Sequence, residues 1–386
     1  MTVFALILAA IPLLLAGYAY LGYPALLALL VRRRRASRPA DPADWPEVTI
    51  SLPVYNEARV VGATIESLLA LDYPRERLHV LVISDCSSDV TDEIARSYAD
   101  RGIHLVRLPE RRGKTAAENE AARHLRGNLV VNTDATTRLH RDGLKALVRE
   151  FQDPTVGVAS GRDVSVGAGG SEASSAESGY VGYEMWVRDL ETRFDGIVGA
   201  SGCFFAIRRD LFLHLVPEAL SRDFASPLIA REHGFRSVSV PGAICYVPRT
   251  RSLKVEFRRK TRTMARGLET LWFKRSLLNP LRYGRFAWML ASHKLVRWLA
   301  FLTMPLLPIG VALLALGSRL AAGLLLLGLL GVALGGAAFL WPETRRPPRL
   351  VAMMGFLVGT SVAAFLAWLK AFRGERNPIW EPTRRH

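Results

Sequence analysis

The chain contains 386 residues, of which 50% are apolar and 22% charged, and its formal net charge is +16. The apolar fraction excludes an intrinsically disordered chain, because disordered chains have too few apolar residues to bury a core. An ordinary soluble domain is also excluded, since residues 3–31 carry no charge and further long apolar runs follow residue 295. The three cysteines, Cys86, Cys203 and Cys245, are too widely spaced for a disulfide framework, and we expect them to stay reduced.

Residues 1–31 are predicted to form a transmembrane anchor. The uncharged run Val3–Val31 exceeds the roughly 20 residues that a helix needs to cross a bilayer. Four arginines, at positions 32–35, follow this run, whereas a cleavable signal peptide carries its basic residues before it. Because basic residues favour the cytoplasmic side, we expect an uncleaved anchor with its N-terminus outside. Residues 32–46 then form a basic, Pro-rich linker to a cytoplasmic domain.

Residues 47–250 alternate between strand-like and helix-like segments. The strand-like segments are Val48–Val54, Leu78–Ser84, Ile103–Arg107, Leu129–Asn132 and Val156–Ser160. The helix-like segments are Arg59–Leu69, Asp89–Ala99, Thr115–Leu125 and Asp142–Phe151. This alternation predicts an α/β domain with a mostly parallel sheet and helices on both faces. Ligands bind such sheets at the carboxyl ends of the strands.

Acidic side chains follow three of the predicted strands. Glu57 follows the first strand, Asp85 and Asp89 follow the second, and Asp134 follows the fourth. We expect these strand ends to converge on one site, although Asp89 equally suits a helix cap. No Gly-x-Gly-x-x-Gly or P-loop sequence follows any strand, which argues against dinucleotide-binding and P-loop sites.

Residues 251–294 are strongly basic and are predicted to form amphipathic interfacial helices. From Arg249 to Arg297 there are 14 Lys or Arg and 2 Glu, with Trp and aliphatic residues interleaved at helical spacing. A basic, Trp-bearing stretch beside a membrane segment favours binding to an anionic lipid leaflet. Arginines at 258, 262 and 266 recur every fourth residue, so they would lie on one face of a helix and would suit a phosphate-bearing ligand. The alternative is that this helical face only contacts solvent. We do not expect nucleic-acid binding.

Residues 295–372 are predicted to hold C-terminal membrane segments. Their apolar runs are Leu295–Leu316, Leu320–Leu340 and Leu350–Phe372. Basic residues in the loop at 345–349 and in the tail, residues 373–386, favour the cytoplasm for both. Three complete crossings would place the tail outside, so one run is expected to be re-entrant or interfacial rather than spanning. The sequence leaves this open.

The motifs of the globular region, taken together, resemble those of inverting family 2 glycosyltransferases with a GT-A fold. They are Pro53–Glu57, Asp85–Asp89, Gly113–Lys114, Asn132–Thr137, Ala200–Arg209 and Asp223–Phe224. The resemblance extends from about Val48 to Pro280, and the flanking anchors match the membrane-bound branch that makes exopolysaccharide, hyaluronan-like and poly-N-acetylglucosamine-like chains.

The resemblance implies a nucleotide-sugar pocket. In it Pro53, Tyr55 and Glu57 line the nucleotide site, Asp85 contacts the uracil of a UDP-sugar, and Lys114 lies against the nucleotide. Gly202 belongs to the same pocket.

A divalent metal, Mg²⁺ or Mn²⁺, is implied at Asp134, which also binds ribose. Thr136 replaces the second carboxylate of the family's Asp-x-Asp element, and this should weaken metal binding. Arg258 and Arg262 are expected to face the diphosphate. The family's Gln-x-x-Arg-Trp sequence, typical of processive members, is absent from residues 259–262.

Asp223 corresponds to the general base of the family, and Arg222 replaces the acid that precedes it. Without the resemblance, Asp223 would equally suit an ordinary helix cap. The implied function is inverting transfer of a sugar from a UDP-sugar to a lipid-linked or saccharide acceptor at the cytoplasmic face of the cell membrane, by a multi-pass protein in contact with membrane lipids. A processive, polymer-extruding synthase and a catalytically degenerate membrane scaffold remain the alternatives, and the oligomeric state is open.

Overall fold

The computed structural model describes residues 1–34, 39–166, 172–248, 252–342, 345 and 347–375, and for residues 172–178 it describes the backbone alone. The predicted linker and the basic C-terminal loop and tail therefore lie partly outside the described residues. The predicted N-terminal anchor is helical throughout. It comprises α1 (Thr2–Gly17), a π-helical turn at Tyr18–Gly22 and α2 (Tyr23–Val31).

An eight-stranded sheet forms the centre of the globular region within the described residues. Its strands are β1 (Val48–Val54), β2 (Leu78–Ser84), β3 (Ile103–Arg107), β4 (Leu129–Thr133), β5 (Arg138–Leu139), β6 (Val156–Val166), β7 (Phe204–Arg208) and β8 (Arg236–Pro248). Their order across the sheet is β3-β2-β1-β4-β7-β6-β8-β5. The pairs β1–β2, β2–β3, β1–β4 and β6–β8 are parallel, whereas β7 pairs antiparallel with both β4 and β6, and β5 with β8. The predicted mostly parallel α/β architecture is confirmed.

The helices of the globular region cover both faces of this sheet. They are α3 (Val61–Leu69), α4 (Thr91–Arg96), α5 (Lys114–Ala121), α6 (Gly143–Arg149), α7 (Glu172–Phe194), α8 (Arg209–Phe212) and α9 (Arg222–Glu232). Alternate residues of one strand enter different cores, as the two-residue period of a strand requires. Val80 and Val82 pack in one hydrophobic cluster, whereas Leu81 and Ile83 pack in the other. Burial on both faces explains the nearly continuous apolar strands.

The C-terminal region is helical over most of its described length. Its helices are α10 (Leu253–Phe273), α11 (Pro280–Leu290), α12 (Arg297–Thr303), α13 (Leu306–Ala315), α14 (Arg319–Leu340) and α15 (Arg349–Phe372). A π-helical turn at Ala291–Val296 joins α11 to α12. The first predicted C-terminal run is not one straight helix, because the chain bends by 43° between α12 and α13, around Pro305.

Three helical segments among the described residues are long and apolar enough to cross a membrane. They are Thr2–Val31, Arg319–Leu340 and Arg349–Phe372. The bent pair Pro280–Thr303 and Leu306–Ala315 would be a fourth if it counts as one span. These segments are consistent with association of the chain with a membrane.

Gly127 shows where the backbone of the sheet is most tightly constrained. Its φ is +72°, and a Cβ atom there would lie 2.1 Å from the carbonyl oxygen of Glu47, just before β1. We therefore expect Gly127→Ala to destabilise the fold by about 2–4 kcal/mol, from backbone strain plus displacement of the neighbouring chain. The measurement is the thermal unfolding midpoint of the purified protein.

Gly234 offers the matched control, because its φ is +82° but no heavy atom lies within 4 Å of the added Cβ position. Gly234→Ala should cost only the strain, about 1 kcal/mol. Equal losses in the two variants would contradict the role given to the contact with Glu47.

Candidate active site

A cavity of about 360 Å³ lies at the carboxyl ends of β1 and β4, and α9, α10 and the turn between α11 and α12 close its other sides. Several of the residues predicted from sequence line this one cavity, although they come from distant parts of the chain. They are Glu57, Lys114, Asp134, Gly202, Asp223 and Arg262. Of the strand-end acids expected to converge, Glu57 and Asp134 therefore meet in this cavity, whereas Asp85 and Asp89 do not line it.

Lys114 and Asp134 form the best-defined ion pair of the cavity. Lys114 is the first residue of α5, and its Nζ donates to Asp134 Oδ1 at 2.6 Å and to the carbonyl oxygen of Gly202 at 3.2 Å. Burial alone would lower the pKa of Lys114, but Asp134 and Glu118 outweigh it and raise that pKa above its usual value. Lys114 is therefore a permanent cation at this wall.

Glu118 is a cavity residue that the sequence analysis missed. Its carboxylate lies 3.9 Å from Lys114 Nζ and 4.0 Å from Arg222 Nε, and its side chain is almost fully buried. Burial raises the pKa of Glu118, and the two cations oppose this effect. The spacing of Lys114 and Glu118, four residues apart on one helix, was the available signal.

Asp223 lies in the first turn of α9 and faces the Gly199–Gly202 segment. The hydroxyl of Ser221 donates to its carboxylate, and the backbone N–H of Ala200 donates to its carbonyl oxygen at 3.2 Å. A Cβ atom at Gly202 would lie 2.9 Å from Asp223 Oδ2. This close approach requires glycine at position 202.

Gly202→Ala is accordingly expected to displace the Asp223 carboxylate while leaving the fold intact, because the contact is with the end of a side chain. Misplacing a catalytic group by a fraction of an ångström should lower the turnover number about tenfold. Steady-state kinetics and nucleotide binding are the two measurements. A lower turnover number with unchanged nucleotide affinity would support the prediction, whereas a lost nucleotide affinity with a normal turnover number would contradict it.

Arg222 is directed away from the carboxylate of its neighbour Asp223. The guanidinium is buried, donates to the Phe212 carbonyl oxygen at 3.2 Å and to the Asn119 side chain, and lies 4.3 Å from the Phe212 ring centroid. Burial lowers the pKa of Arg222 to about 10, and Glu118 partly opposes this shift. Arg222 thus lines the cavity as part of a buried structural network.

The first two strand ends interlock. Asn56, at φ +52°, exchanges hydrogen bonds with Ser88, whose N–H donates to Asn56 Oδ1 at 2.8 Å. Asp89 accepts from the backbone N–H of Thr91, at the start of α4, and therefore acts as a helix cap. Pro53 is buried within β1, and Tyr55 stacks under Arg111, 3.9 Å from its ring centroid. Neither Pro53 nor Tyr55 lines the cavity itself.

Asp85 also lies outside the cavity lining and is 2% exposed. Its two carboxylate oxygens accept the backbone N–H groups of Arg112 and Gly113, each at 2.8 Å. Burial raises the pKa of Asp85, and these two hydrogen bonds oppose the rise. In this arrangement Asp85 holds the loop that positions Lys114.

Four arginines of α10 occupy different positions. Arg262 lines the cavity, whereas Arg258 is exposed and does not. Arg259 lines the cavity instead, and its guanidinium pairs with Glu256 at 2.6 Å. Arg266 also lines the cavity and donates to Thr115 Oγ1 at 2.7 Å. The helix is thus fastened to the globular domain at the cavity edge.

Asp163 is a second carboxylate of the cavity that the sequence analysis missed. It lies on β6, three residues past Ser160, where the predicted strand ended, and accepts the hydroxyl of Ser201 at 2.5 Å. Cys245 donates its thiol to the same oxygen at 3.3 Å. The sequence analysis ended this strand at Ser160, whereas the strand continues to Val166 and carries Asp163 to the site.

The oxygen donors of the cavity suit a hard divalent cation only in part. Among the described residues, no group of three or more His, Cys, Asp or Glu side chains is arranged to hold a metal ion. Asp134 and Thr136 nevertheless lie side by side in the cavity lining and offer a carboxylate and a hydroxyl. Mg²⁺ is commonly held by one or two carboxylates, waters and substrate phosphates, so this donor set fits a metal that binds together with a diphosphate.

Comparison with known proteins agrees with the fold. A family model described as glycosyl transferase family 2 matches residues 49–216. An N-acetylglucosaminyltransferase of Rhizobium sp. (strain N33) is 29% identical over 220 residues, which are 52% of this chain and 48% of the relative. A beta-monoglucosyldiacylglycerol synthase of Synechocystis sp. is 30% identical over 122 residues, which are 31% of this chain and 26% of the relative. This chain spans about half the length of the curated relatives it matches most strongly.

Among solved structures, the mannosyltransferase PcManGT from Pyrobaculum calidifontis, in complex with GDP-Man and Mn²⁺, superposes with a TM-score of 0.72. The two chains are 24% identical, and the match covers 95% of this chain and 99% of the other. The fold is therefore GT-A-like. Residues 49–216, somewhat less than half of the chain, match the glycosyl transferase family 2 model, and the chain is similar to members of that family.

Proposed function

We propose that the protein transfers a sugar from a nucleotide-diphosphate sugar to an acceptor hydroxyl, with inversion at the anomeric carbon. The observation that carries this proposal is the meeting of Lys114, Asp134, Gly202 and Asp223 in one cavity. One wall of the cavity thus holds a cation, Lys114, and a carboxylate that could bind a metal, Asp134. Another wall holds a second carboxylate, Asp223.

The leaving nucleotide diphosphate gains negative charge as the glycosidic bond breaks. Lys114 and Arg262 are the cations proposed to stabilise that charge, because both line the cavity. Asp223 is proposed to accept the proton of the acceptor hydroxyl as that oxygen attacks the anomeric carbon. Direct displacement from the face opposite the leaving group converts an α-linked donor into a β-linked product.

A divalent metal, Mg²⁺ or Mn²⁺, would be held by Asp134 and Thr136 together with the donor. When bound it would supply further neutralisation of the diphosphate charge. Since only one carboxylate is offered at this position, we expect millimolar rather than micromolar metal to be needed. Arg262, Lys114 and the metal would act on the same developing charge.

The donor is proposed to be a UDP-sugar, with UDP-N-acetylglucosamine as the first candidate. Support comes from the curated relatives named N-acetylglucosaminyltransferase. GDP-mannose is the second candidate, because the mannosyltransferase with the similar fold was solved with it. Asp85, Tyr55, Pro53 and Glu57 would form the base and ribose end of the pocket after the Arg111–Tyr55 stack opens.

The acceptor is proposed to be lipid-linked or a growing exopolysaccharide, at the cytoplasmic face of the cell membrane. The Arg32–Arg34 run after the anchor supports this orientation, and the exposed Trp272 and Phe273 of α10 suit contact with membrane lipids. Arg258, exposed on the same helix, would then contact lipid headgroups or a diphosphate that approaches from outside the cavity.

A donor panel tests the proposed function. The full chain in native lipid would be incubated with UDP- and GDP-sugars, and nucleotide release would be measured with Mg²⁺, Mn²⁺ or EDTA. Release from one donor that EDTA abolishes would support the proposal. No release from any donor would instead favour a degenerate scaffold, and a ladder of products on a gel would indicate a processive synthase.

A further inference from the structure

A buried cluster of charged side chains lies behind one wall of the cavity, and the mechanism proposed above does not use it. It joins α7 to the π-helical turn and α12. Its members are Glu184, Arg188, Glu191, His293, Lys294 and Arg297. All except Lys294 are less than a tenth exposed. Burying a charge this deeply costs free energy unless an opposite charge pairs with it. The numbers of cations and carboxylates in the cluster must therefore be compared.

Glu184 is the centre of this cluster. Its Oε1 lies 2.8 Å from His293 Nε2, and its Oε2 accepts from Arg297 at 2.8 Å. Arg188 Nε and Lys294 Nζ lie 3.7 and 3.9 Å from the same carboxylate. Four basic side chains among the described residues therefore share one carboxylate.

Glu191 supplies the second negative charge. Its Oε1 lies 2.6 Å from His293 Nδ1 and also accepts the Tyr23 hydroxyl at 2.6 Å. His293 thus bridges the two carboxylates through its ring nitrogens. Leaving His293 out of the count, three cations, Arg188, Lys294 and Arg297, face two carboxylates, so the cluster carries an excess of positive charge.

Two of the three cations, Arg188 and Lys294, line the cavity. Arg188 donates to the carbonyl oxygen of Ala200 at 3.3 Å, and Lys294 Nζ lies 5.6 Å from the Phe224 ring centroid. The excess charge of the cluster is therefore presented at the cavity wall. A buried wall with excess positive charge favours an anionic ligand.

The chain segment from Gly199 to Gly202 runs between this wall and Lys114. A Cβ atom at Gly199 would lie 3.4 Å from Lys294 Nζ, whereas Lys114 donates to the carbonyl oxygen of Gly202. Three residue steps span at most about 11 Å, so the two cationic regions are separate but close. Asp223 contacts this segment at Ala200 and at Gly202, between the two regions.

We propose that Arg188 and Lys294 form an anion subsite for the acceptor. They bind a carboxylate or phosphate-ester group of the acceptor, while an acceptor hydroxyl reaches Asp223 and the donor diphosphate lies beside Lys114. This inference rests on the proposed function and specifies its acceptor as anionic. Glu184 and His293 act as positioning residues, because Glu184 pairs with both cations, His293 contacts Glu184, and neither of them lines the cavity.

The test uses the full chain in native membrane lipid with the radiolabelled donor that the panel identifies. Lys294→Met should lower sugar transfer at least tenfold, while the affinity for UDP or GDP, measured by calorimetry, changes less than twofold. Lys294→Arg keeps the charge and should retain most of the transfer. Lys254→Met, at an exposed position of α10, is the matched control and should leave both quantities unchanged.

The charge of the wild-type product gives a second measurement that does not depend on any variant. The labelled product should bind an anion-exchange resin. Hydrofluoric acid treatment would abolish that binding if the group is a phosphate ester, and carbodiimide reduction would abolish it if the group is a carboxylate. A neutral product would overturn the proposal.

Two other outcomes would also overturn it. Normal transfer by Lys294→Met would remove the subsite, and a tenfold loss of nucleotide affinity would assign Lys294 to the donor instead. Failure of the wild-type chain to release nucleotide from any donor is a different result, because it removes the proposed function as a whole.

Discussion

Asp223→Asn is expected to bind nucleotide normally and to turn over about 10²–10⁴-fold more slowly than the wild type, the range that a positioned general base contributes. The amide keeps the shape of the side chain and still accepts the Ser221 hydroxyl, but it cannot take the proton of the acceptor hydroxyl. Steady-state transfer rates and calorimetric nucleotide affinity, measured on the same preparation, separate the two effects.

The matched control is Asp210→Asn, since Asp210 is an exposed carboxylate in the first turn of α8 and does not line the cavity. It should leave transfer unchanged. Turnover of Asp223→Asn within a factor of two of the wild type would show that another group, with Asp163 the first candidate, takes the proton.

Lys114→Met is expected to weaken nucleotide binding about 10- to 100-fold, because a charge-assisted hydrogen bond contributes about 1.5–3 kcal/mol. The variant also leaves the carboxylates of Asp134 and Glu118 without their shared cation, so they repel a diphosphate. Titration calorimetry with UDP and GDP measures the loss directly.

A second variant separates binding from folding. Lys114→Met combined with Glu118→Gln removes one of the two carboxylates that Lys114 neutralises, and should recover part of the thermal stability without restoring nucleotide affinity. Lys145→Met, where the ammonium pairs with Asp72 at 2.9 Å and does not line the cavity, controls for loss of a surface ion pair. If Lys114→Met binds nucleotide with wild-type affinity, the proposal that the diphosphate binds beside Lys114 is wrong.

The sequence allowed much of the donor side of the site to be predicted. Asp134 follows an apolar strand, and Lys114 begins a helix after a glycine, so their local patterns place both at the carboxyl edge of the sheet. Asp223 was assigned through family resemblance, because its local pattern alone suits a helix cap. Arg262 was predicted for a face of α10, but spacing could not tell that Arg259 rather than Arg258 accompanies it in the cavity.

The acceptor side could not be predicted in the same way. Arg188 and Lys294 lie within helices of unremarkable local pattern, and their nearness follows from the packing of α7 against the turn before α12. Glu118 and Asp163 likewise interrupt ordinary helix and strand patterns. Strands β7 and β8 were not predicted either, although β7 is the antiparallel partner that carries the Gly199–Gly202 segment to the site.

By itself, the sequence determined what depends on short-range pattern: the apolar runs long enough for a membrane, the strand and helix alternation of the α/β domain, and the acids at strand ends. Hydrophobic periodicity encodes these features within a few residues. Only the tertiary structure decided which charges share a cavity. The partners of Lys114 and Glu184, and the Ala200 N–H that bonds to the Asp223 carbonyl oxygen, come from distant segments. The free-energy cost of burying a charge depends on the groups that packing places beside it.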